Sequence, residues 1–120
     1  MPDLSTRYMG LNLDNPIVVS SCSLTKDLDG VRRCAEAGAG AIVLKSLFEE
    51  QIEVGIEEIE RHIWPAWHPE IFDYVKGMGF ELGPQEYLKL IEEAKKAVSV
   101  PIIASLNCVT SRGWVDYAKQ

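Results

Sequence analysis

At three places in the chain, polar residues directly follow an apolar run. Ser20-Ser21-Cys22 follows Ile17-Val18-Val19, and Lys45-Ser46 follows Ala41-Ile42-Val43-Leu44. Asn107 comes just after Pro101-Ile102-Ile103-Ala104-Ser105. The runs are short, rich in β-branched residues and unalternating, as strands covered on both faces by helices are. In parallel α/β folds, chemistry is placed at the carboxyl ends of strands. If the three runs are neighbours in one sheet, a lysine, several hydroxyls and an amide meet on one rim. That is a polar binding site with a positive centre. Small residues such as Ser20 and Ser21 let a planar ligand or a backbone approach closely; a plain serine-rich loop is their other reading. Lys45 alone reads more simply as a side chain snorkelling to solvent where a strand leaves the core. Its company is what points to a site.

The elements that must position these residues follow from local pattern. Thr6-Arg7-Tyr8 and Leu11-Asn12-Leu13 flank Met9-Gly10, which suits a small β-hairpin within residues 1–15. Asn15-Pro16 breaks the chain and launches the first buried strand. Thr25 is the expected N-cap of the first helix. Asp27 and Asp29 lie in its early turn, where the helix dipole favours them. Leu28, Val31 and Ala35 share a face with Cys34 beside it. Gly38 is a natural helix terminator, since glycine alone takes the left-handed conformation without steric cost. The helix then feeds the Ala41–Leu44 strand, giving a βαβ unit whose crossover should be right-handed.

Residues 47–83 read as a lid-like insertion. Ile52, Ile56, Ile59 and Ile63 recur at helical spacing between Phe48 and Ile63. The accompanying glutamates, Glu49, Glu50, Glu53, Glu57, Glu58 and Glu60, read as a solvated face. Glu58 and His62 stand at a spacing that metal sites also use, but no third ligand accompanies them, so no metal is assigned. The aromatic stretch Trp64 to Pro69 suits packing or a subunit contact. Gly77 to Gly83 is glycine-rich but lacks the spacing of a dinucleotide or phosphate loop. Pro84 suits the first position of the next helix. Tyr87, Leu88, Ile91, Ala94 and Val98 form its apolar face, and Lys95 and Lys96 favour its carboxyl end. Ser111 is the expected cap of a last helix carrying Trp114, Tyr117 and Ala118.

Bulk properties narrow the function classes. The 120 residues are 47% hydrophobic with a net charge of −6, so nucleic acid is a poor partner. The three cysteines form no CxxC pair, which suits a reducing compartment and the cytoplasm. Neither a signal peptide nor a membrane-spanning run is evident. A small-molecule ligand is the expected partner.

The hairpin followed by Asn15-Pro16, the strand ending in Ser20-Ser21, the Gly38-to-Ser46 stretch and Ile103-Ala104-Ser105-Leu106-Asn107-Cys108 together resemble the amino-terminal part of the dihydroorotate dehydrogenase family. The last of these is also similar to the flavin barrel domain of dihydropyrimidine dehydrogenase. The resemblance implies an α/β chain forming about three βα units of a (β/α)8 TIM barrel that binds FMN. It implies an oxidoreductase of pyrimidine biosynthesis, oxidising a dihydropyrimidine by hydride transfer to flavin. Ser20, Ser21, Lys45, Ser46 and Asn107 would be cofactor contacts. Lys45 would be catalytic, touching both flavin and substrate, because a fixed ammonium favours the negative charge of reduced flavin. Lys76, Gly77, Met78 and Gly79 would bind substrate; a lysine stands at 76 where the family commonly has an orotate-binding asparagine. In its full-length form the family enzyme is expected to be a homo-oligomer.

The family's catalytic base, its second lysine and its FMN phosphate site have no counterpart in the sequence. A complete barrel needs about 250 residues. The chain is therefore expected to be a fragment, inactive alone. Two other expectations stand beside this one. Lys45 could form a Schiff base in a barrel lyase, or the chain could be a non-catalytic truncated or assembly subunit.

Overall fold

Turn chemistry decides the first element. Thr6–Tyr8 (β1) and Leu11–Leu13 (β2) pair antiparallel, with Thr6 opposite Leu13 and Tyr8 opposite Leu11. The residues between them, Met9 and Gly10, have φ of 49° and 80°. That pair of positive values marks a type I′ turn, one of the two primed turns whose twist matches that of the flanking strands.

The computed structural model describes residues 2–49 and 84–120. After the hairpin come β3 (Val18–Val19), a short 3-10 turn (Ser23–Thr25), α1 (Leu28–Glu36), β4 (Ala41–Val43) and β5 (Leu47–Phe48). Then follow α2 (Pro84–Ala97), β6 (Ile102–Ile103), β7 (Leu106–Asn107) and α3 (Ser111–Lys119). The chain is a mixed α/β protein with small parallel sheets. It divides into two compact units, Met1–Ser46 with Leu88–Ser105, and Leu47–Tyr87 with Leu106–Gln120.

In the first unit, β3, β4 and β6 form a parallel sheet with β4 in the middle. Val19 pairs with Ile42, and Ile42 with Ile102. The Ile42 and Leu44 amides donate to Pro101 and Ile103 at 3.0 and 2.9 Å. Ala41, Ile42 and Leu44 are fully buried, with Val31 of α1 and Ala94 of α2. Each fully buried Leu or Ile contributes about 1.5–3 kcal/mol of hydrophobic stabilisation. Leu90 of α2 is also buried, a position the expected apolar face left out.

Asn15 fixes the starts of two strands together. Its Oδ1 accepts the Ile17 amide at 3.0 Å, and its Nδ2 donates to the Gly38 carbonyl at 3.0 Å. Gly38, at φ 90°, ends α1 as the sequence suggests.

Several local expectations are corrected. Ile17 lies outside β3 and is 63% exposed, and Val18 is 37% exposed, so this strand is not buried. Its place at the sheet edge explains that, since among the described residues only β4 of this sheet has partners on both sides. Ile102 and Ile103 at the other edge are half-buried. Asp27, not Thr25, caps α1, its Oδ1 accepting the Gly30 amide at 2.9 Å. Thr25 is taken up by the preceding turn. Thr110, not Ser111, caps α3, accepting the Gly113 amide at 2.9 Å. Phe48, expected to open a helix, is in β5.

In the second unit, β5 and β7 pair parallel, Phe48 opposite Asn107, and α3 packs on β7. Glu49, expected on a solvated face, is only 5% exposed. Its Oε2 accepts the Val109 and Thr110 amides at 2.6 and 2.9 Å, and its Oε1 accepts the Thr110 hydroxyl at 2.5 Å. The carboxylate thus closes the N-terminal end of α3, where unpaired N–H groups and the helix dipole favour negative charge. The space is tight: a Cβ on Gly113 would overlap the Glu49 carboxylate. The remaining sequence expectations for residues 50–83 lie outside the described residues.

Two outcomes follow. A methionine in the left-handed region costs about 1–2 kcal/mol, which asparagine largely avoids. Met9→Asn is therefore expected to raise the denaturant midpoint, by up to about 1 kcal/mol in stability; an unchanged or lower midpoint would contradict the turn. Glu49 is held below the ordinary carboxylate range first by the Thr110 hydroxyl and then by the Thr110 amide. A lowered folded pKa gives stability that is present above the unfolded value and lost as pH falls through the folded one. Glu49→Gln should be less stable than wild type at neutral pH. The gap should shrink as pH drops below the ordinary glutamate value of about 4.3, read from unfolding midpoints across pH. A gap independent of pH would contradict the ionised cap.

Candidate functional site

Parallel pairing with β4 central brings the carboxyl ends of β3, β4 and β6 to the same edge of the first unit. The residues just past those ends carry hydroxyls, and the hydroxyls meet. The Ser46 amide donates to Ser21 Oγ at 2.9 Å, and the two Oγ atoms are 3.0 Å apart. Ser46 Oγ and Ser105 Oγ are 2.6 Å apart, a short hydroxyl–hydroxyl hydrogen bond. Ser21, Ser46 and Ser105 thus form a continuous row across the three strand ends, all half-buried.

Lys45 lies beside Ser46, half-buried, in the segment leaving β4. Its amide donates to the Thr25 carbonyl at 3.1 Å. Thr25 is 0% exposed, and its hydroxyl donates to the Cys22 carbonyl at 3.1 Å while accepting the Cys22 amide at 3.4 Å. The turn after β3 therefore holds the backbone at Lys45, so the lysine leaves a fixed point. Ser20, Ser21's neighbour, is exposed, as is Ala104, Ser105's neighbour. Both are small and leave the rim unobstructed by their own side chains.

Of the residues singled out from sequence, Ser21 and Ser46 are joined directly, with Ser20 and Lys45 adjacent to them in the chain. Asn107 is an exposed residue of β7 in the second unit. Lys76, Gly77, Met78 and Gly79 lie outside the described residues. Sequence reasoning overlooked Ser105 and Thr25. Ser105 had a usable signal, because it stands after β6 much as Ser21 stands after β3. Thr25 had none, since its part is played by a buried backbone carbonyl.

Chemically, the row of hydroxyls can both donate and accept, next to a lysine whose backbone is fixed. That suits a ligand with carbonyl and N–H groups along one edge. Among the described residues no cluster of three or more His, Cys, Asp or Glu side chains could hold a metal ion. Cys22, Cys34 and Cys108 are in no disulfide bond. No helix among the described residues is long and apolar enough to cross a membrane. Compared with models of protein families and with curated proteins, the chain matches none.

Proposed function

We propose that the first unit contributes to the (β/α)8 barrel of an FMN-dependent oxidoreductase that oxidises a dihydropyrimidine. The supporting observation is the parallel β3-β4-β6 sheet whose carboxyl ends join the hydroxyls of Ser21, Ser46 and Ser105 beside Lys45. These residues fit the group. A flavin ring presents carbonyl and ring-nitrogen acceptors along one edge, and the rim offers serine hydroxyls with the small residues Ser20 and Ala104 beside them and Lys45 next to Ser46 in the chain. Ser20 and Ser21 would approach the ring by backbone, Ser46 would bond its polar edge, and Lys45 would place a cation there. When bound, the flavin supplies hydride acceptance. Lys45 would stabilise the negative charge that builds up on the reduced ring and orient the substrate. Asn107, Lys76, Gly77, Met78 and Gly79 enter the proposal as further contacts by resemblance alone. Three cysteines without a disulfide support a reducing, cytoplasmic setting.

The test uses the protein as its source makes it. It should carry FMN, and a dihydropyrimidine should bleach the flavin absorbance. Lys45→Ala should slow that bleaching about a hundredfold or more, with Lys45→Arg intermediate. Unchanged reduction and substrate binding in Lys45→Ala would overturn the role of the lysine. A protein that takes up no flavin, yet is trapped by borohydride with a carbonyl substrate, would instead be a Schiff-base lyase at Lys45.

A further inference from the structure

Among the described residues the buried polar or charged residues are Glu49 and Thr25. Glu49 is held by the amides that lead into α3. Thr25 stands between two exposed residues, Leu24 and Lys26, in a turn where a polar side chain would ordinarily face water. Its hydroxyl instead closes on both backbone groups of Cys22, donating to the carbonyl at 3.1 Å and accepting the amide at 3.4 Å. The turn is seated on α1. Gly30 is buried, and a Cβ there would lie 1.8 Å from the Leu24 carbonyl oxygen, so the missing side chain is what lets the two meet.

This turn is bonded twice to the segment leaving β4. The Lys45 amide donates to the Thr25 carbonyl at 3.1 Å, and the Ser46 amide donates to Ser21 Oγ at 2.9 Å. Those N–H groups belong to the two peptide units on either side of the Lys45 α-carbon. With both planar units held, the φ and ψ of Lys45 are fixed, and so is the direction of its Cα–Cβ bond. Ser21 and Thr25 supply the two acceptors, and the Thr25 hydroxyl ties the segment between them through Cys22. We propose that Thr25 is a positioning residue for Lys45: its buried hydroxyl sets the spacing of the two acceptors that aim the lysine. The claim concerns the Lys45 backbone and not what its side chain touches. Its consequence for reactivity rests on the role of Lys45 proposed above.

The first readout, amide hydrogen exchange in the full chain, needs no ligand. Thr25→Val keeps the branched shape and removes the hydroxyl. The Lys45 and Ser46 amides should then exchange about tenfold faster. Ile42 and Leu44, whose amides are bonded to Pro101 and Ile103, should keep their rates. Thr25→Ser keeps the hydroxyl and should restore the slow exchange. Equal acceleration at all four amides would make Thr25 a general stabiliser, and unchanged rates at Lys45 and Ser46 would disconnect it from the lysine; either result overturns the proposal. If Thr25→Val does not fold, the wild type decides. A scalar coupling across the hydrogen bond from the Lys45 amide to the Thr25 carbonyl, with a slowly exchanging Thr25 hydroxyl proton, supports the proposal, and the lack of either overturns it. The second readout is a double-mutant cycle in the flavin-loaded protein. Thr25→Val should slow flavin reduction by a dihydropyrimidine about tenfold. In the Lys45→Ala background the same change should cost less than about twofold, because Thr25 acts through the lysine. Equal slowing in both backgrounds would overturn that action. A wild-type protein that takes up no flavin would instead overturn the proposed function, leaving the exchange rates to decide the role of Thr25.

Discussion

The rim exists because β4 is hydrogen-bonded on both sides. Its residues Ala41 and Ile42 are fully buried, and parallel partners flank it. Parallel pairing is what makes three strands end at the same edge; an antiparallel neighbour would send its polar end to the opposite side of the sheet. The Ile42 and Leu44 amides tie β4 to β6, and the Gly40 amide reaches the Ile17 carbonyl at 2.8 Å on the other side. With the strands so registered, serines that are 25 and 59 residues apart in sequence come within hydrogen-bonding distance.

Much of this was legible from local pattern. The hairpin with Met9-Gly10 at its turn, the βαβ unit and the Gly38 terminator all depend on backbone preferences that a short stretch of sequence carries. The polar residues after each apolar run were legible for the same reason, and two of them, Ser21 and Ser46, are bonded to one another. What the sequence hid depends on partners far along the chain. Glu49 sits in a run of glutamates and looks solvated, yet Val109 and Thr110, about 60 residues on and leading into α3, offer it two amides and a hydroxyl. Ile17 and Val18 look like core and are exposed, because an apolar run does not reveal that it will lie at a sheet edge. The caps shifted by one or two positions, from Thr25 to Asp27 and from Ser111 to Thr110. In each case more than one capping residue stood within two positions, and tertiary placement chose between them.

The two units use polar groups in contrasting ways. In the second, the Glu49 carboxylate is consumed by the structure: each oxygen has a donor, and the charge is matched to a helix end. In the first, Ser21 keeps capacity in reserve, because among the described residues its hydroxyl meets only the Ser46 amide and hydroxyl, two of the three hydrogen bonds it can make. A fully committed group stabilises a fold, whereas a group with spare capacity can meet a ligand. That difference is why the strand ends, and not the better-bonded Glu49, form the candidate site.

The central claim is that this rim binds FMN, and amide NMR of the protein during an FMN titration tests it most directly. The account predicts saturable shifts concentrated at Ser20, Ser21, Lys45, Ser46 and Ser105, with the β1–β2 hairpin unchanged. Saturable shifts confined to other residues, or none at all, would contradict it.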